Sequence, residues 1–165
     1  MSPYDYLSAH QLAGFFNVTI LTPDDIPGFN RQSIMKLHDF DVWSAITLKK
    51  DDLHTIIVNS DHSDVRKESD LFHELAHIIC GHKMLGFKLV GSVHLRKYNK
   101  EQEDEAEWLG GCLHIPRKSL EWAFRNNMTP HDICTHYTSS NEMLTYRINV
   151  TGIKNQYKYY ASEYL

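Results

Sequence analysis

The sequence predicts an α+β chain, with a small antiparallel or mixed sheet near the front, a long central helix and a mostly helical second half. Strand-like runs rich in β-branched and apolar residues, at 17–21, 42–48 and 53–59, all fall before residue 60. Helix-starting signals crowd the rest of the chain, at Ser63, at Pro116, at Thr129-Pro130 and at Ser139 or Ser140. No internal repeat or low-complexity linker divides the 165 residues, so one domain is expected over 1–165. It parses as a helix plus small sheet (1–62), two central helices (63–116), and C-terminal helices with a tail (117–165).

In order, Ser2-Pro3 is an N-cap and first-turn pair for a helix to about residue 15, with a buried stripe of Tyr6, Leu7, His10 or Leu12, and Phe16. The strand at 17–21 is closed by the turn residues Thr22-Pro23-Asp24-Asp25, and Pro27-Gly28 extends the break. Residues 29–39 are expected to form a short helix. The runs at 42–48 and 53–59 flank Lys50-Asp51-Asp52 and read as a hairpin whose second strand feeds the next helix. That helix is predicted over 64–80: Ser63 caps it, Asp64 suits the positive end of its dipole, and Gly81 supplies a left-handed stop. Val65, Leu71, Phe72, Leu75, Ala76, Ile78 and Ile79 cover most of its circumference, so it is expected to lie inside the protein.

Residues 83–99 form a connector with weak strand signals at 87–90 and 93–95. A helix is expected next, at about 100–113, where Gly110-Gly111 costs roughly 1 kcal/mol per residue relative to alanine and implies close packing on a neighbour, the 64–80 helix. Helices at about 116–125, 130–136 and 140–150 complete the fold. For the tail's Tyr157, Tyr159, Tyr160 and Tyr164, packing, partner binding and an edge strand all remain open.

The formal charge of −4 and pI near 6.2 argue against a generic nucleic-acid or membrane-surface binder. The pair of helices at 130–150 resembles a helix-turn-helix, but from 128 onward Asp132, Glu142 and Glu163 balance Arg147, Lys154 and Lys158, leaving no basic face for phosphates. Cys80, Cys112 and Cys134 are odd in number and lack C-x-x-C spacing, which argues against a disulfide framework and for a reducing compartment. With no export signal and no apolar run near 18 residues, a cytoplasmic location is expected.

Chemistry concentrates in His73-Glu74-Leu75-Ala76-His77. Residues four apart on a helix lie about 40° apart around its axis, so His73 and His77 can converge on one ion with Glu74 beside it as a general base. A catalytic zinc takes three protein ligands and leaves a position for water. His82 is five residues beyond His77, about 140° away on a continuing helix, and points elsewhere unless Gly81 re-aims it. The spacing H-E-x-x-H-x-x-G-x-x-H is excluded, because Cys80 and Lys83 occupy the required Gly and His positions. The acidic run Glu101 to Glu107 offers alternatives. Glu103 and Glu107 share a helical face, whereas Glu105 lies about 200° from Glu103 and is expected in solvent.

H-E-L-A-H, then Glu103-Asp104-Glu105-Ala106-Glu107 and an apolar run ending in Pro116, resembles the ImmA/IrrE family of zinc metallo-endopeptidases, a Glu-zincin type with a zincin-like fold. Trp43-Ser44 with Thr47, and Ile57-Val58-Asn59, resemble segments that precede the active-site helix in that family, and Arg66 matches an arginine found there. The resemblance runs from the first helix to about residue 152. It implies Zn2+ held by His73, His77 and Glu103. It also implies a role for Glu107 in supporting a ligating histidine, at a position where the family usually carries Asn or Asp. Characterised members cleave helix-turn-helix repressors and switch on stress or mobile-element genes, so the resemblance implies a protein partner and no direct nucleic-acid contact. Candidate donors to the transition state are His82, His94, His114, Tyr146 and Arg147. An extended substrate is expected along the free sheet edge near residues 43–47. Two other classes stay in view: an accessory or toxin-antitoxin protein that binds through a closed, structural zinc, and a DNA-binding regulator using the 130–150 helix pair.

Overall fold

A computed structural model of the chain describes residues 4–27, 44–83, 86–90, 93–97 and 99–156, with backbone alone at 86–90 and 93–97. The predicted cap at Ser2-Pro3, the 29–39 helix, Trp43 and the tyrosine-rich tail lie outside the described residues. Helix α1, Ala9–Phe15, starts later than expected because Ser8 and Gln11 cap each other: Ser8 Oγ accepts from Gln11 N at 3.2 Å while Ser8 N donates to Gln11 Oε1 at 3.0 Å. The late start changes the stripe. Ala9, Leu12 and Ala13 are buried, while His10 and Phe16 are exposed.

Strand β1 is Val18–Leu21, and a single 3₁₀ turn at Pro23–Asp25 comes after it. Strands β2, Ala45–Lys50, and β3, Leu53–Val58, form the expected hairpin, turning through Asp51 at φ 54°. The sheet is mixed: its order is β1-β3-β2, with β1 parallel to β3 in the register Val18 opposite His54. Among the described residues β2 is therefore an edge. Helix α2, Asp64–Ile79, crosses onto this sheet, and Ser63 Oγ accepts from Arg66 N at its start. A two-stranded antiparallel hairpin, β4 (Gly86–Val90) and β5 (Val93–Lys97), leads to α3, Lys100–His114, capped reciprocally by Asn99 and Gln102. Helices α4 (Arg117–Arg125), α5 (Pro130–His136) and α6 (Asn141–Thr151) complete the order, the last two capped by Thr129 and Ser140 as expected.

Two apolar clusters result. One joins α1, β1, β3 and α2 through Leu12, Val18, Ile56, Leu71, Phe72 and Leu75; the other joins α4, α5 and α6 through Leu120, Phe124, Ile133, Tyr137, Leu144 and Ile148. Phe72 and His114 stack at 4.8 Å between ring centroids and bridge the two. The α2 surface also buries Glu68, which accepts from the Tyr6 hydroxyl and, at 2.7 Å, from Ala9 N, so a carboxylate ties α1 to α2 and satisfies a free helix-start donor.

Candidate metal centre

Close contact between α2 and α3 is made possible by Gly110. A Cβ there would lie 3.2 Å from His73 Cα, His73 N and Phe72 O, all backbone atoms. Gly111 faces the other way, against Arg147 Cδ and Tyr146 Cε1, both at 3.1 Å. The glycine pair thus seats α3 on α2 with its first residue and on α6 with its second.

Across this contact the side chains of His73, His77 and Glu103 converge. His73 Nε2 lies 3.2 Å from Glu103 Oε2 and 3.1 Å from His77 Nε2, and His77 Nε2 lies 3.7 Å from Glu103 Oε2. A tetrahedral ion about 2.0–2.1 Å from each donor requires donors about 3.4 Å apart, a value these three separations straddle. The donor set of two imidazoles and one carboxylate also suits zinc. The His77 side chain is 2% exposed, but His73 and Glu103 are 33% and 46% exposed, so the cluster is closed behind and open in front. An open face is what a reacting site needs and a structural cage lacks.

Glu74 is held from the sheet: Thr47 Oγ1, on the edge strand β2, donates to Glu74 Oε2. Sequence reasoning does not single out Thr47 as a site residue. The available signal is its place in the Trp43-Ser44 to Thr47 segment that resembles the family; in the structure polar Thr47 is 1% exposed while its neighbour Leu48 is 47% exposed. Arg66 reaches the same strand end, with Nη2 3.3 Å from Ser44 Oγ.

His82 is not re-aimed toward the open cleft. The helix ends in a Schellman turn, with Gly81 at φ 66°, Gly81 N donating to Ile78 O at 3.1 Å and His82 N to His77 O at 3.0 Å. This folds His82 back so that its Nδ1 lies 2.8 Å from His77 Nδ1, behind the cluster. The Glu105 side chain is 61% exposed, as its helical angle implies, yet its Oε2 lies 3.1 Å from His82 Nε2. Glu107 is exposed, and its charge acts on Lys100 and Tyr146; the acid that reaches a histidine neighbouring the cluster is Glu105.

Among the transition-state candidates, His114 is 1% exposed, stacks on Phe72 and pairs through Nε2 with Tyr137 O at 2.8 Å. Burial holds its pKa below the ordinary histidine value, so it is a core residue. Arg147 is 2% exposed and donates from Nε to Ile115 O at 3.0 Å, which caps the end of α3 and withdraws the guanidinium from reaction chemistry and from DNA phosphates alike. Tyr146 is half-buried beside Gly111, its pKa raised first by burial and then by the Glu107 charge. His94 lies on β5, whose side chains fall outside the described residues. Cys80, Cys112 and Cys134 are free thiols. No helix among the described residues is long and apolar enough to cross a membrane.

Comparison with curated proteins and with solved structures finds no match. A family model described as the IrrE N-terminal-like domain, a peptidase family, matches residues 30–149. The match begins after β1 and contains α2, α3 and the whole donor cluster. With well over half of its length matched, the chain belongs to the IrrE N-terminal-like family of metallopeptidases.

Proposed function

We propose that this protein is a zinc-dependent endopeptidase whose substrate is a helix-turn-helix transcriptional repressor. Cleavage would take place in the cytoplasm and release stress or mobile-element genes from repression. The observation that carries the enzymatic reading is the convergence of His73 Nε2, His77 Nε2 and Glu103 Oε2 at separations suited to one ion, with an open face. The substrate class rests on the family resemblance alone.

His73, His77 and Glu103 would hold the ion. When bound, zinc supplies Lewis acidity that acidifies a water and polarises a carbonyl. Glu74 takes the water proton on its carboxylate and returns it to the leaving amine. Thr47 donates to one oxygen of that carboxylate, which fixes its rotamer. Because Thr47 lies on the edge strand, an extended peptide adding to β2 would run past Glu74, and backbone hydrogen bonds would set its register.

The test is incubation of the purified, zinc-loaded protein with a purified helix-turn-helix repressor, with fragments read by mass spectrometry. Glu74→Gln should keep the zinc and lower cleavage by at least the roughly 10²-fold typical of a missing general base. Cleavage undiminished in Glu74→Gln would overturn the mechanism. Cleavage of unrelated extended peptides but not of the repressor would overturn the substrate assignment and leave the chemistry standing.

A further inference from the structure

The Schellman turn that ends α2 normally brings two apolar side chains together, one from the last helical turn and one from just beyond the glycine. Here those positions are His77 and His82, and the contact is polar: Nδ1 to Nδ1 at 2.8 Å. The His82 side chain is only 6% exposed, and its other nitrogen is 3.1 Å from Glu105 Oε2. The Cys80 sulfur lies in the same group, within 4.8 Å of a His82 ring nitrogen and a Glu105 carboxylate oxygen. Three groups thus stand in file behind the buried member of the metal cluster.

We infer that His82 and Glu105 are positioning residues for the metal, forming the chain Glu105–His82–His77 that fixes the His77 ring with Nε2 toward the ion. The inference rests on the proposed zinc site and comes from counting protons. An imidazole that gives Nε2 to a metal carries its proton on Nδ1, so His77 must donate there. The atom it meets is His82 Nδ1, which must then be the bare acceptor. That places the His82 proton on Nε2, where the Glu105 carboxylate accepts it. Each donor meets an acceptor in one consistent direction, and the carboxylate at the end makes His77 a stronger ligand. Carboxylate-to-histidine support of this kind is a general feature of metal sites. In this chain a second histidine is interposed, because Gly81 turns the backbone so that His82 and not an acid reaches the ligand. A one-residue change in the turn would lose the chain while leaving the three metal donors in place.

Zinc affinity is measured by chelator competition on the whole protein, using zinc alone as probe. His82→Ala should weaken binding by about 10 to 100-fold, the range for loss of a group supporting a ligand. His82→Asn, whose amide oxygen can occupy the Nδ1 position, should recover part of that loss, and Glu105→Ala should fall between wild type and His82→Ala. Cys80→Ser should bind like wild type. In zinc-loaded protein, long-range 1H–15N imidazole spectra should show His77 protonated on Nδ1 and His82 on Nε2. Wild-type affinity in both His82 variants, or a His82 proton on Nδ1, would overturn the chain and leave the zinc site intact. A zinc equivalent that survives His73→Ala and disappears in Cys80→Ser would overturn it differently, by giving Cys80, His82 and Glu105 an ion of their own. Failure of wild-type protein to bind zinc at all would instead remove the zinc site itself.

Discussion

Substituting Gly110 with alanine tests whether the α2–α3 contact sets the metal geometry. The new methyl would sit 3.2 Å from three backbone atoms, two of them belonging to His73 of the donor cluster. No side chain can rotate away, so the helices must part by a few tenths of an ångström. Overpacking of this kind costs roughly 1–3 kcal/mol, and the better helix propensity of alanine returns about 1, giving a net loss of about 0–2 kcal/mol. Glu103 lies on α3 and the two histidines on α2, while a working metal site tolerates errors of only about 0.2 Å in ligand distances. Recompressing the contact on binding should then weaken zinc by roughly tenfold, since about 1.4 kcal/mol is a factor of ten. Gly111→Ala is the internal control, because its methyl meets Arg147 Cδ and Tyr146 Cε1 on α6 and so strains α3 without pushing it off α2. The assay is zinc affinity by chelator competition, with apo-protein stability from urea unfolding. Equal zinc affinity in Gly110→Ala and wild type, or an equal loss in both glycine variants, would mean that the α2–α3 contact does not set the geometry of the site.

Three other perturbations probe the same structure. Thr47→Val removes the hydroxyl that holds Glu74 while keeping the shape of the strand; kcat should fall by about tenfold with zinc affinity unchanged, and an unchanged kcat would remove Thr47 from the site. Glu68→Leu leaves Ala9 N and the Tyr6 hydroxyl without their acceptor, and should cost about 1–3 kcal/mol in urea unfolding; a neutral result would mean that water replaces the carboxylate. Burial depresses the His114 pKa from its ordinary 6.5, so as pH falls below about 6.5 the unfolded chain takes up a proton that the folded one refuses. Stability should therefore decline in that window, by up to about 1.4 kcal/mol per pH unit from this group, and His114→Asn should flatten the slope; slopes that coincide would exclude His114 as the source.

Much of the architecture was legible because its signals are local. Ser63, Thr129-Pro130 and Ser140 each cap the helix they head, and Gly110 meets α2 as expected. The start of α1 was misplaced because two cap signals lay six residues apart, and in the structure the reciprocal pair Ser8 and Gln11 caps the helix. Parallel pairing of β1 with β3 depends on where the chain returns after more than thirty residues, which no local pattern reports. The convergence of His73 and His77 could be read from spacing, since helical periodicity fixes which residues share a face, and Glu103 was pointed to by resemblance. The approach of His82 to His77 could not. It depends on the left-handed step at Gly81, and helical angles cease to apply there. The helical angle of Glu105 reports only on its own helix, whereas its partner comes from the end of the neighbouring one.

Zinc K-edge X-ray absorption of the protein loaded with one equivalent of zinc reads the donor set of the ion itself. The expected spectrum has a shell of nitrogen and oxygen at about 2.0–2.1 Å, with outer scattering from two imidazoles and no sulfur. A sulfur shell at about 2.3 Å would contradict the assigned donor set, because the His73, His77 and Glu103 cluster contains no thiol and Cys80 belongs to the other group of donors.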